Sequence, residues 1–327
     1  MSRPAVLAVT AGDPAGIGPE IVAKALSGGR LGELGRVVVY AEPTLFDEAC
    51  RAAGLDPLPR TESARESGAV LHPVSPSPVP ADFAVGSPSA FTGAVAAACV
   101  REAATAAMSG AADAVVTAPL AKSALRAAGV SHPGHTEMLS ELAGGVPVAM
   151  MFVAPDLRVT LATIHVPLAD VPGLLTAEEI AAKIRMTGEA LRSRAGIAGP
   201  RIAVLGVNPH AGEGGLFGDE DERIVAPAVA AARAEGWSVE GPFPADSFFL
   251  RHRGDHDAVI AMYHDQGLIP VKLLARGRAV NVTLGLPFLR TSVDHGTAFD
   301  IAGKGVADEE SLLEAARLAA EWTRPRG

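Results

Sequence analysis

Ala5-Val-Leu-Ala-Val-Thr10 runs directly into Ala11-Gly-Asp-Pro-Ala-Gly-Ile-Gly-Pro-Glu20, and this junction decides the fold. The first half is a short, continuous apolar run of the kind that forms a strand covered on both faces. The second is a glycine-rich turn that delivers Pro19 to the first position of a helix, where its missing N–H is harmless. A helix start of this kind can cradle a phosphate. Asp13 and Glu20 oppose an anion, however, and the glycines lack the dinucleotide spacing with an acidic residue about twenty positions later, so a tight structural turn is the favoured reading.

The same alternation repeats outward. Arg36–Tyr40, Ala114–Thr117, Val148–Val153, Arg158–Thr163, Arg201–Val207 and Ala258–Met262 are apolar runs bounded by Gly, Pro or Asp. Between them, Pro19–Leu26, Pro43–Ala53, Phe91–Met108, Thr176–Arg194, Asp219–Glu235 and Asp308–Trp322 space apolar residues three and four apart. Strands alternating with helices predict an α/β architecture with a largely parallel sheet. Asp56–Pro88, rich in Pro and Ser, reads as a surface excursion whose one plausible strand starts at Ala69. There is no internal repeat.

With 327 residues and 48% hydrophobic composition, the chain can bury one large core or two lobes without disulfide or metal staples. Cys50 and Cys99 sit in alanine-rich helical stretches and predict burial in a reducing compartment. A formal charge of -9 argues against a nucleic-acid surface while leaving room for a local basic pocket. No run reaches the roughly 18 apolar residues of a membrane span, and Met1-Ser-Arg-Pro4 lacks the core of a secretory signal, so a cytoplasmic protein is expected.

Three histidines lie just beyond predicted strands: His165 in Leu161-Ala-Thr-Ile-His165, His210 in Gly206-Val-Asn-Pro-His210, and His264 in Ala261-Met-Tyr-His264. Strand ends in α/β proteins are where ligand sites form. Three imidazoles can hold a divalent cation with a position left open, or each can close a strand-to-loop junction with a hydrogen bond. Around His210, five glycines and Pro209 imply a backbone that approaches something closely. His135 and Thr136 are suited to donate to substrate oxygens at a helix start, with Thr136 as an N-terminal cap the alternative, while His132 is given no functional role. Lys272, Asn281 and Arg290 suit a phosphate or carboxylate pocket; the alternative for each is a solvent-facing side chain.

Gly12-Asp-Pro-Ala-Gly-Ile-Gly-Pro-Glu20, Gly134-His-Thr-Glu137, Asn208-Pro-His-Ala-Gly-Glu-Gly-Gly215, Ala261-Met-Tyr-His-Asp-Gln-Gly267 and Gly285-Leu-Pro-Phe-Leu-Arg-Thr-Ser-Val-Asp-His-Gly-Thr-Ala298 follow one another along nearly the whole chain. Together they closely resemble the 4-hydroxythreonine-4-phosphate dehydrogenase family of pyridoxal phosphate biosynthesis. The resemblance implies the two-lobed α/β fold of the isocitrate and isopropylmalate dehydrogenases, with largely parallel sheets and a central cleft. It places residues 1–135 and about 275–327 in a cofactor-side lobe. Residues 136–274, approximately, form a second lobe with the metal ligands and the dimerisation surface.

Carried over residue by residue, the resemblance makes His165, His210 and His264 ligands of one divalent ion (zinc, cobalt or magnesium), one of them supplied by the neighbouring subunit of a homodimer. It makes His135, Thr136, Lys272, Asn281 and Arg290 substrate contacts. Asp246 or Lys272 is the implied proton acceptor, and Gly12, Asp294, His295, Gly296 and Asp300 the implied contacts of NAD or NADP. The implied reaction oxidises 4-phosphooxy-L-threonine to a 3-oxo acid that decarboxylates to 3-amino-2-oxopropyl phosphate. Alternatives are a dehydrogenase of D-threonate or D-erythronate 4-phosphate or of a carboxylated cis-dihydrodiol, a metal-dependent hydrolase, and a non-catalytic phosphometabolite binder. No nucleic-acid or membrane partner is expected.

Overall fold

The computed structural model describes residues 3–61, 68–132 and 134–324. The chain divides into two compact units, Met1–Val148 with Leu286–Gly327, and Ala149–Gly285. The sequence put these crossings near residues 135 and 275. The two units change over at Val148/Ala149 and Gly285/Leu286, beside β5 and just before β11.

The first unit opens with β1 (Val6–Thr10), α1 (Gly18–Ser27), β2 (Arg36–Ala41), α2 (Pro43–Ala52), β3 (Ala69–Pro73), α3 (Ala90–Met108), β4 (Ala114–Thr117), α4 (Lys122–Ala127) and α5 (His135–Leu142). The second comprises β5 (Ala149–Ala154), β6 (Leu157–Leu161), α6 (Val171–Leu174), α7 (Ala177–Ser193), β7 (Arg201–Leu205), α8 (Ala226–Ala234), β8 (Ser238–Phe243), α9 (Ala245–Arg251), β9 (Ala258–Ala261), α10 (His264–Ala275) and β10 (Val280–Leu284). The chain then returns to the first unit with β11 (Leu289–Ser292) and α11 (Glu310–Trp322).

In the first unit the strands run β3-β2-β1-β4-β11, every pairing parallel. All five residues of β1 are buried, as continuous hydrophobicity demands of a strand covered twice. Val6 and Ala8 face the cluster built on α3, with Val38, Tyr40, Val70 and Val115. α11 packs on β4 and β11. The glycine-rich turn is a structural device, as expected: Gly12 has φ +75, and a Cβ there would lie 2.2 Å from the Pro119 carbonyl oxygen. The excursion after Asp56 folds back, with Leu71 N–H donating to Pro59 O and Thr61 N–H to Leu71 O, although residues 62–67 lie outside the described residues. Both cysteines are buried, and burial pushes the Cys50 thiol up to about 11.

The second unit is mixed. β10 and β5, then β5 and β6, pair antiparallel; β6, β9, β7 and β8 continue in parallel. Side-chain alternation divides its core into two. Ala203, Leu205, Val259 and Ala261 face α10, and Ile202, Val204 and Ile260 face α7 and α8. The helix predicted over Asp219–Glu235 begins with a π turn, Asp221–Val225, before α8.

Three strands end earlier than their apolar runs. β6 stops before Thr163, whose hydroxyl donates to Met262 O. β7 stops before Val207, whose N–H donates to the Asp221 carboxylate, and β9 before Met262, whose N–H donates to Gln266. Side chains there take over backbone groups that the ladder would otherwise use. Among the described residues no helix is long and apolar enough to cross a membrane.

Candidate active site

β6, β9 and β7 are parallel neighbours, and the three histidines follow their carboxyl ends. His264 begins α10, a helix the sequence reading missed. Gly267 lets that helix lie on the sheet: a Cβ there would come within 2.7 Å of Leu161 Cδ2. The His165 and His264 rings lie 5.6 Å apart, centre to centre. Both line a cavity of about 300 Å³ together with Ile164, Leu168, Tyr263 and Asp265. The Nδ1 of His264 is 2.7 Å from Asp265 Oδ1, so Nδ1 donates to the carboxylate and the neutral ring keeps its lone pair on Nε2.

His210 follows β7. It stands exposed beside Phe217, with ring centres 6.0 Å apart, in a loop where His210, Ala211 and Glu213 all take positive φ of 55, 52 and 45. Each such residue costs roughly 1–2 kcal/mol against ordinary backbone. The loop is anchored at its base by buried Asp221, whose two oxygens accept from Val207 N–H at 2.8 Å and Asn208 N–H at 3.0 Å. Asn208 in turn donates to Glu220 at 2.7 Å. Among the described residues, no three His, Cys, Asp or Glu side chains gather as a metal group.

Asp246 lies exposed in the first turn of α9, and Lys272 is exposed in the last turn of α10. Asn281 sits on β10 opposite Phe152, and its side-chain oxygen is enclosed without a hydrogen-bond partner. An acceptor buried in this way is waiting for a donor.

The first unit holds the other group. Arg290, on β11, is only 2% exposed, so a solvent-facing role is excluded. Its Nη2 donates to Thr117 Oγ1 at the end of β4, 2.7 Å away. Burial pulls the Arg290 pKa down to about 9, and the Glu137 charge opposes that pull. The imidazole of His135 is enclosed; burial, reinforced by the Arg290 charge, holds its pKa well below the ordinary histidine value, and its Nε2 has no partner. His135 and Thr136 are the first two residues of α5, so backbone N–H groups that the helix leaves unpaired accompany them. Thr136 is not the cap: Gly134 occupies that position, and no side chain caps the helix. His132 pairs with Glu141 at 2.5 Å, a surface contact in keeping with its lack of a role. Pro133 lies outside the described residues.

The segments expected to hold a cofactor touch each other in this unit. Ile17 N–H donates to Thr297 O at 2.9 Å. Lys24 donates to Gly305 O and Ala307 O, and Glu20 accepts from Ala307 N–H, which gives both charged residues of α1 a structural task. His295, Gly296 and Asp300 are exposed, and a Cβ on Gly296 would meet nothing within 4 Å. Asp294 N–H donates to Ser311 Oγ at 3.4 Å. Gly12 is buried against Pro119 and offers no open face. Beside these segments, Pro14, Pro19, Leu45, Phe83 and Val85 line an apolar cavity of about 200 Å³.

The relatives of this two-unit α/β chain make it an oxidoreductase acting on a CH–OH group. A β-decarboxylating dehydrogenase from Thermococcus kodakarensis shares the fold, with a TM-score of 0.51 at 17% identity over 97% of this chain and 82% of that one. The family model of pyridoxal phosphate biosynthetic protein PdxA matches residues 33–319, and the chain belongs to that family. It is 47% identical to the 4-hydroxythreonine-4-phosphate dehydrogenase of Desulfosudis oleivorans, covering 96% of this chain and 95% of the relative. It is 46% identical to the D-threonate 4-phosphate dehydrogenase of Cupriavidus necator, covering 98% of each. The crystal structure of 4-hydroxythreonine-4-phosphate dehydrogenase from Klebsiella pneumoniae superposes with a TM-score of 0.89 at 42% identity over 99% of both chains. The hydrolase and non-catalytic alternatives fall away.

Proposed function

We propose that this chain oxidises the secondary alcohol of 4-phosphooxy-L-threonine with NAD or NADP, giving a 3-oxo acid that loses carbon dioxide to leave 3-amino-2-oxopropyl phosphate. The observation that carries this reading is the Arg290–His135 corner: a buried guanidinium beside an enclosed, unpartnered imidazole nitrogen suits an anionic end of a small substrate. Thr136, Lys272 and Asn281 complete the substrate contacts, the enclosed Asn281 oxygen accepting from a substrate N–H or O–H. Asp246 or Lys272, both exposed to solvent exchange, takes the hydroxyl proton. His295, Gly296 and Asp300, open on the surface, face the nucleotide together with Asp294, while Gly12, buried against Pro119, shapes the turn beside them.

His165, His210 and His264 would hold the divalent ion, and the donor set fits: neutral imidazoles, with Asp265 orienting His264. When bound, the ion lowers the hydroxyl pKa and the nicotinamide accepts the hydride. Zinc, cobalt or magnesium would serve as that ion. A homodimer supplies the third ligand. Exposed His210 is one support for that assembly; another is the exposed apolar side chains of the second unit, among them Leu168, Leu216, Leu250, Ile269 and Leu273.

The second reading is oxidation of D-threonate 4-phosphate, favoured by a relative of that name at nearly the same identity. The two substrates differ mainly at an amino group. Following NADH and NADPH formation with both phosphorylated acids, with chelator and with each metal restored, tests the proposal. Metal-dependent absorbance growth with 4-phosphooxy-L-threonine is expected. Faster turnover of D-threonate 4-phosphate selects the second reading, and no reduction with either compound contradicts both.

A further inference from the structure

Gln266 lies two residues after His264, on the first turn of α10, and spends both ends of its amide on backbone groups that belong to different strand ends. Its Oε1 accepts from Met262 N–H at 2.7 Å, immediately beyond β9. Its Nε2 donates to Gly206 O at 2.7 Å, immediately beyond β7 and at the root of the His210 loop. Met262 is also the residue on which the His165 segment closes, since the Thr163 hydroxyl donates to Met262 O at 2.7 Å. One connected set of hydrogen bonds, Thr163 to Met262 to Gln266 to Gly206, therefore runs across the ends of β6, β9 and β7. Each histidine follows one of these three junctions.

We infer that Gln266 is a positioning residue for the metal-binding histidines, fixing the His264 helix and the His210 loop in register with one another. The inference rests on the reading of His165, His210 and His264 as metal ligands. The chemistry requires a primary amide. The Met262 N–H needs an acceptor and the Gly206 carbonyl needs a donor, and among side chains of this length glutamine alone offers both at once. The amide is partly buried, so water substitutes poorly for either bond. The register has to be imposed, because the His210 loop is in a strained left-handed run that relaxes if its root is released. Asp221 grips the two amides after Gly206, and Gln266 grips the carbonyl of Gly206 itself, so the loop is held from both sides of the peptide chain. Gln266, two residues after His264, links that grip to the start of α10.

The test is a titration of cobalt(II) into metal-stripped full-length protein, read by the visible absorption of the ion and by affinity, for the wild type, Gln266→Met and Gln266→Glu. Gln266→Met keeps length and removes both bonds. Gln266→Glu keeps the acceptor for Met262 N–H and loses the donor to Gly206 O, so it protects the start of α10 while releasing the loop. Both variants are expected to bind cobalt about ten- to a hundredfold more weakly, the range for residues that orient metal ligands, with an altered band shape and thermal unfolding of the bulk fold near that of the wild type. Wild-type affinity and band shape in folded Gln266→Glu would overturn the inference, even if Gln266→Met fails to fold. If wild type itself takes up no cobalt, the assignment of the three histidines falls, which is a different result from an unaffected variant.

Discussion

The Arg290 corner and the histidine group handle their chemistry in opposite ways. In the first unit, Arg290 is buried, tied to Thr117 and flanked by Glu137, and the His135 imidazole is enclosed beside it. Everything that defines this corner comes from one chain, and its desolvated groups are held ready before any ligand arrives. In the second unit, His165 and His264 approach each other while His210 stands exposed on a strained loop. The corner is finished by folding. The histidine set is left open, which suits a site completed by a second copy and by an ion.

The largest expected effect comes from dismantling the finished corner. Arg290→Met removes the buried charge proposed to receive an anion, so kcat/KM should fall roughly 150-fold, the equivalent of about 3 kcal/mol for two lost charge-assisted bonds. Steady-state kinetics with the preferred phosphorylated acid check this, and a change under threefold would show that the anion sits elsewhere. On the open side, Asp265→Asn should weaken metal binding about tenfold, the low end of the range for a ligand-orienting carboxylate, because Asp265 itself is well exposed. Calorimetric titration of the stripped protein reads it, and unchanged affinity would leave His264 oriented by something else.

The corner also carries a pH signature. Folding keeps His135 neutral, whereas the unfolded chain protonates it near its ordinary value of about 6.5. The unfolded state therefore binds more protons below that pH, and the stability tied to His135 is complete above it and lost as pH falls through it, by at most about 1.4 kcal/mol per pH unit. Urea unfolding at about pH 7.5 and about pH 5.5 should show a smaller acid loss in His135→Gln than in the wild type. Equal losses would mean that His135 accepts a proton in the folded protein.

The finished region was also the less legible one in the sequence. The strand-turn-helix at Ala5–Glu20, the alternation behind it and the histidine-bearing strand ends were readable, because continuous apolar runs, glycine turns and proline at a helix start each have a local cause. β11 was not, since Arg290 in its middle breaks an apolar run, and only the fold around it reveals that the charge is buried. α10 was hidden for a related reason. Tyr263-His-Asp-Gln-Gly267 and Pro270 look like loop residues, and the helix depends on Gly267 fitting against Leu161 and on Gln266 taking Met262 N–H. β8, with Gly241 and Pro242 inside it, survives as an edge strand where a missing donor is tolerated. The five glycines around His210 did announce an unusual backbone, and three non-glycine residues in left-handed conformation are its realisation. What the sequence could not show is that, among the described residues, the three histidines do not gather as a metal group within one chain.

This can be tested without any structure. His210→Ala and His165→Ala proteins are each expected to be inactive, and when they are co-folded, mixed dimers should carry one intact site of two, restoring about a quarter of wild-type specific activity under random pairing. A mixture as inactive as its parts would mean that each chain assembles its three histidines alone, and the contrast between the finished corner and the open histidine set would be wrong.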